Sequence, residues 1–176
     1  MAPSLAAQDG PALWEGIASF VTIIVPVYNE AAHLADCLAS LLAQDYPSAC
    51  MEILVADGGS TDGSQAIVQE FARRDARVRL LMNPRRIAAA GLNLGLGAAR
   101  GDIIVRADGH TILAPNYLRR CVERLQPADV AGVGGPLRGV GQGAIGRAVA
   151  LAFASLFGAG DSAYHLAHSG EPRATD

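Results

Sequence analysis

The stretch VTIIVPVYNE, residues 21–30, decides the fold class. Its first seven residues are largely β-branched and apolar on both faces. A short strand that is apolar at odd and even positions alike reads as buried on both sides, as in a parallel sheet. Tyr28, Asn29 and Glu30 then mark a polar turn, with Asn29 a candidate helix cap and Glu30 suited to a first helical turn. Leu34, Cys37, Leu38, Leu41 and Leu42 follow at helical spacing to about residue 44, and DYP (45–47) breaks the pattern.

The same order of strand, polar turn and helix recurs outward from this stretch. EILVA (52–56) predicts a second strand and DGGSTD (57–62) a turn rich in capping residues. Ile67, Val68 and Phe71 mark the apolar face of a second helix. Residues 77–82 predict a third strand, Asn83-Pro84 ends it, and a helix of small residues covers about 86–99. DIIVRA (102–107) predicts a fourth strand, ending at Asp108-Gly-His110. Pro115 suits a helix first turn, and Tyr117, Leu118, Cys121, Val122 and Leu125 give that helix an apolar side. Residues 130–133 suggest a fifth strand, before a glycine-rich tract and a weak helix to about 157. Four or five such units in series imply an α/β domain, a parallel sheet with helices on both faces.

Ligands of such sheets sit beyond the carboxyl ends of the strands, near the switch in strand order. The informative residues are therefore 26–30, 57–62, 83–86 and 108–110, and three of these four turns carry acidic groups. A group of carboxylates with an imidazole calls for a cation or a ligand donor. Asp108 and His110, two apart, can face one Mg2+ or Mn2+, or can form an exposed turn in which Asp108 accepts backbone N–H groups. Asp57 can cap the next helix, but Ser60, Thr61 and Asp62 already offer capping groups, which leaves Asp57 to accept from a ligand N–H. Pro26 and Tyr28 can flank a flat ring or serve the turn alone. Arg85 and Arg86 can meet phosphates or start a solvated helix, while His33, His165 and His168 have no spacing that implies a site.

Several classes are excluded. The first turn lacks the Gly-x-Gly-x-x-Gly of dinucleotide folds, and with no Lys anywhere the chain has no P-loop. All 14 basic residues are Arg, so a bound phosphate must meet Arg or a metal. Hydrophobic residues at 51% against 18% charged exclude wholesale disorder, and a net charge of −3 disfavours a nucleic-acid partner. The three cysteines lack the spacing of a disulfide framework or a zinc site, which fits a reducing compartment. No stretch reads as a signal peptide or a membrane span.

Taken jointly, VTIIVPVYNE (21–30), QDYPSACMEILVADGGSTDGS (44–64), NPRRIAAAGLNLGLGAARGDIIVRADGH (83–110) and the glycine-rich tract 132–160 resemble the family 2 glycosyltransferases, most of all the succinoglycan-biosynthesis type. The resemblance implies the GT-A fold, a Rossmann-like, mainly parallel sheet that binds a nucleotide sugar. It implies that Pro26, Tyr28, Glu30 and Asp57 hold the uracil and ribose of a UDP-sugar and that Arg86 lies near the donor. Asp108 and His110 occupy the D-x-D positions, the first at ribose or metal and the second at Mn2+ or Mg2+. His in place of the second Asp departs from the general pattern.

The implied reaction is inverting, hexosyltransferase-type transfer to a polysaccharide or lipid-linked saccharide. The implied location is cytoplasmic, at the inner face of a membrane. The domain expectation is a leader at 1–20, a nucleotide-sugar-binding domain at 21–135, and a segment at 136–176 leading to an acceptor-binding half. That half would hold the general base, an Asp, and membrane-associated helices. The 141–160 tract is expected to be a mobile or membrane-facing helix. The alternative is a catalytically inactive remnant or a nucleotide-sugar-binding module.

Overall fold

The computed structural model describes residues 19–127, 130–135, 143–145 and 148. It divides into two units, Met1–Val130 and Ala131–Asp176. The first holds β1 (Val21–Val27), α1 (Leu34–Leu42), a 3-10 turn (Ser48–Cys50), β2 (Met51–Asp57), α2 (Ser64–Arg74), β3 (Val78–Met82), α3 (Ala88–Ala98), β4 (Ile103–Arg106) and α4 (Tyr117–Arg124). The strands form one parallel sheet in the order β3-β2-β1-β4. Order reverses beside β1, so β1 and β4 flank the switch point at which such sheets bind ligands.

Side chains alternate across this sheet. Val21, Ile23, Val25 and Val27 of β1 join Ile53 and Val55 in a core with Leu34, Cys37, Leu38 and Leu41 of α1, Val68 of α2, and Leu118 and Val122 of α4. The opposite face carries α3, whose helix lies close because two positions lack side chains. A Cβ on Gly95 would lie 2.4 Å from Ile24 Cγ2, and one on Gly91 would lie 3.2 Å from the Ala56 Cβ. The small residues of 86–99 are therefore a fit to the sheet.

At the amino ends of the strands, this α3 face buries a carboxylate. Glu52 is fully buried; Thr22 Oγ1 and the Arg100 N–H donate to its Oε1 at 2.9 and 2.8 Å. Arg100 Nε and Arg79 Nη1 donate to Oε2 at 3.0 and 3.3 Å. The Gly101 N–H closes on Thr22 Oγ1 at 2.9 Å, and Arg100 also lies over the Phe20 ring, 5.3 Å from its centre. Burial alone would push the Glu52 carboxyl up. The Arg100 N–H, the Thr22 hydroxyl and the Arg100 guanidinium outweigh it and hold the carboxyl below its usual value.

At the carboxyl ends, the first two turns are laced together. The Asn29 N–H donates to Ser60 Oγ (2.9 Å), the Thr61 N–H to Asn29 Oδ1 (2.9 Å), the Glu30 N–H to Ser64 Oγ (2.9 Å) and the Ala31 N–H to Asp62 Oδ2 (2.8 Å). Ser64 is fully buried, and its hydroxyl donates in turn to Asp62 Oδ1 at 2.6 Å.

Three local expectations are corrected here. Asn29 does not cap α1: its φ is +56°, in the left-handed region that Asn tolerates, and the helix begins only at Leu34. Ser60 and Thr61 serve this lacing instead of a helix cap, leaving Asp62 to accept from the first N–H of α2. Residues 130–133 are in no strand; Gly132, Gly134 and Gly135 offer no side chains to pack an extended segment. The expected helix at 141–160 lies largely outside the described residues, of which 143–145 and 148 are helical and exposed.

Glu52→Gln puts an amide against four donors and should cost about 1–3 kcal/mol at about pH 7. Because the folded carboxyl ionises below its unfolded value, its contribution is complete above the usual glutamate range and is lost as pH falls through the folded value. Urea unfolding should therefore show a large gap between wild type and Glu52→Gln near neutrality that narrows in acid. Ser64→Ala strands the Glu30 N–H without an acceptor and should cost about 1–3 kcal/mol in the same assay.

Candidate functional site

A cleft of about 320 Å3 opens at the carboxyl edge of the sheet. All four strand ends contribute: Pro26, Val27, Tyr28 and Glu30 at the end of β1, Ala56 and Gly58 at the end of β2, Asn83, Arg86, Ile87 and Ala88 after β3, and Arg106, Asp108, Gly109 and His110 at β4. The volume is within the range of small-ligand sites.

The wall after β1 is rigid because of the lacing above. Tyr28 stands exposed at 53%. Gly58 lies between the Tyr28 ring and the Arg86 backbone: a Cβ there would be 3.4 Å from both. Gly59, at φ +81°, lies under the Arg86 guanidinium, 3.5 Å from its Nε by the same measure.

Asn83 fixes the loop after β3. It is buried, its Oδ1 accepts the Arg85 N–H at 3.2 Å, and its Nδ2 donates to the Ile87 carbonyl at 3.0 Å. Arg86 sits between these anchors at φ +58°, an uncommon backbone for a non-glycine residue, and makes no ion pair among the described residues. Sequence reasoning placed Asn83 in the informative turn 83–86 and at the end of a strand, but gave it no positioning role.

The β4 turn lies against the β1 turn. A Cβ on Gly109 would be 3.1 Å from Glu30 Cγ and 3.3 Å from Val27 Cγ2, so glycine permits the approach. The Thr111 N–H and the Cys37 thiol both donate to the Asp108 carbonyl, at 2.9 and 3.5 Å. Burial pushes the Cys37 thiol up to about 11, which keeps it a neutral donor.

The charged side chains are paired more fully than the sequence implied. Arg106 Nε and Nη2 both donate to Asp108 Oδ1, at 3.1 and 2.9 Å. His110 Nδ1 lies 3.0 Å from Glu30 Oε1. Asp62 is taken up by the lacing, and Asp57 turns inward. Asp57 is fully buried and absent from the cleft lining; its Oδ1 accepts from Gly59 N, Ser60 N and Gln65 Nε2 at 2.8, 3.0 and 2.7 Å, while its Oδ2 has no protein partner. The structure thus brings Pro26, Tyr28, Glu30, Arg86, Asp108 and His110 to one cleft and sets Asp57 beneath it.

Among the described residues, no three His, Cys, Asp or Glu side chains gather as a metal cluster. Asp108 nonetheless keeps Oδ2 outside the Arg106 contact, and His110 keeps Nε2 outside the Glu30 contact. Such a donor pair fits a Mn2+ or Mg2+ that takes its other ligands from phosphate and water.

Known proteins share this architecture. A model of "Glycosyl transferase family 2" matches residues 22–162. The succinoglycan biosynthesis protein ExoA of Rhizobium meliloti is 33% identical over 142 residues, 80% of this chain and 43% of that protein. Glycosyltransferase GlyG of Streptococcus pneumoniae is 32% identical over 64% of this chain and 37% of its own. The chain thus spans under half the length of these curated relatives.

Among solved structures, the mannosyltransferase PcManGT of Pyrobaculum calidifontis, in complex with GDP-Man and Mn2+, superposes with a TM-score of 0.60 at 34% identity. The overlap covers 65% of this chain and 34% of that one. S. aureus TarS 1–349 in complex with UDP shares the fold at a TM-score of 0.56 and 22% identity, over 68% of this chain and 39% of that one. The parallel sheet with its switch-point cleft is the GT-A architecture of these structures, and the chain belongs to glycosyl transferase family 2.

Proposed function

We propose that this chain holds the nucleotide-sugar site of an inverting, metal-assisted glycosyltransferase, with a UDP-sugar as donor. The observation that supports the reading best is the convergence of all four β-strand ends on one cleft at the switch point, in a chain of this family. Pro26 and Tyr28 flank the base, and Glu30 with Asp108 faces the ribose. Arg86 faces the donor from the β3 loop. Asp57 acts through the turn it holds, since its three side-chain contacts go to Gly59 and Ser60 of the turn and to Gln65 of α2.

Asp108 and His110 would hold a divalent cation, which supplies charge neutralisation to the departing diphosphate. In the reaction, an acceptor hydroxyl oxygen bonds to the anomeric carbon as the bond to the diphosphate oxygen breaks. The hydroxyl proton passes to a general base. We place that base, the saccharide or lipid-linked acceptor site and any membrane association in a part of the protein beyond this chain, following residues 136–176. The segment 21–135 is the donor-binding domain in this reading. No helix among the described residues is long and apolar enough to cross a membrane. A cytoplasmic site at the inner membrane face belongs to the same proposal.

With so few protein donors for a metal, Mn2+ alone should bind weakly and UDP should strengthen it. Calorimetric titration should show UDP binding that tightens on adding Mn2+, with ADP much weaker. Asp108→Ala should abolish the Mn2+ enhancement. Failure of UDP to bind with Mn2+ present would contradict the donor reading, and tighter binding of GDP than UDP would reassign the base.

A further inference from the structure

The cleft holds a cation that the reading above does not use. Arg106 ends β4, lines the cleft, and is 60% exposed at its side chain. Its pairing with Asp108 is one-sided: Nε and Nη2 converge on the single oxygen Oδ1. Nη1 and Asp108 Oδ2 are left over. An ion pair this exposed contributes about 0–1 kcal/mol, so it does little to hold the guanidinium in place.

The charges of the cleft give Arg106 its task. Its lining contains the carboxylates of Glu30 and Asp108, the guanidinium groups of Arg86 and Arg106, and His110. Arg86 lies over Gly59, at the end beside Tyr28. Arg106 stands at the other end, with the Asp108-Gly-His110 turn. The chain has no Lys to serve instead. A multiply charged diphosphate brought to that turn meets a carboxylate first, unless a cation covers it. A guanidinium, always charged and presenting several planar donors, suits both anions at once.

We propose that Arg106 is a diphosphate-binding residue that shares Asp108 with the metal. Its Nη1, outside the Asp108 contact, donates to a phosphate oxygen, and the two anions together hold the guanidinium. It thereby supplies binding without metal, and it opposes metal binding when no nucleotide is present. This rests on the nucleotide-sugar reading of the cleft. The two effects have opposite signs, and a merely structural role would not produce both.

The test compares wild type, Arg106→Met and Arg106→Lys, using UDP in EDTA, UDP with Mn2+, and Mn2+ alone followed by its paramagnetic resonance signal. Arg106→Met should lose about tenfold or more of UDP affinity in EDTA, the scale of a charge-assisted hydrogen bond. It should bind Mn2+ alone more tightly than wild type. Arg106→Lys should recover part of the EDTA affinity. Equal UDP affinity in EDTA for wild type and Arg106→Met, or unchanged Mn2+ affinity, would overturn the assignment and leave the donor site standing. No UDP binding by wild type under any condition would overturn the donor site and this role together.

Discussion

Strand β1 pairs with β2 along all seven of its residues and with β4 along its first four. The site depends on that double pairing. A parallel strand bonded on both sides cannot slip by one residue without turning its side chains to the wrong face. Val21, Ile23, Val25 and Val27 must meet the core, while Ile24 must meet Gly95 of α3. Once the register is fixed, all four strands end at the same edge. The polar turns that follow are then neighbours in space, although 81 residues of sequence lie between Tyr28 and His110.

The two ends of the sheet handle buried charge in different ways. At the amino end, Glu52 is enclosed and satisfied by Thr22, Arg79 and Arg100, which ties three strands to the chain leaving α3. Both oxygens of that carboxylate are taken up. At the carboxyl end, satisfaction is partial. Asp62 and Ser64 are used up in joining the first two turns. Asp108 and His110 keep one donor or acceptor atom each, and Arg86 keeps its whole guanidinium. Incomplete pairing beside a preformed cleft is what a charged ligand requires, because the protein need not break strong contacts to admit it.

Much of this was legible in the sequence. The four strands and four helices follow from apolar runs and helical spacing, and the cleft residues follow from the rule that ligands meet the carboxyl ends of parallel strands. Other features depend on contacts between distant segments. Asn29 and Ser60 look like helix caps locally; only the juxtaposition of two turns makes them partners of each other. Asp57 looks wholly free at the strand end, but in the fold Gln65, eight residues on, reaches back to its Oδ1 and leaves Oδ2 without a protein partner. Arg106 reads as a strand residue until the turn brings Asp108 beside it. Burial of Glu52 has no local signal, since a charged residue at a strand start reads as exposed. Residues 130–133 carry β-branched side chains, but Gly132 and the glycines that follow it prevail.

The central claim is that a nucleoside diphosphate occupies the switch-point cleft of this chain. Amide chemical-shift mapping with UDP and Mg2+, which unlike Mn2+ does not broaden nearby signals, tests it most directly. The account predicts that the largest shifts fall on Tyr28, Gly58, Arg86, Gly109 and His110, and that Thr22, Arg79 and Gly101 at the opposite edge stay still. Shifts centred on that opposite edge, or none at the β1 and β4 turns under saturating UDP, would contradict it.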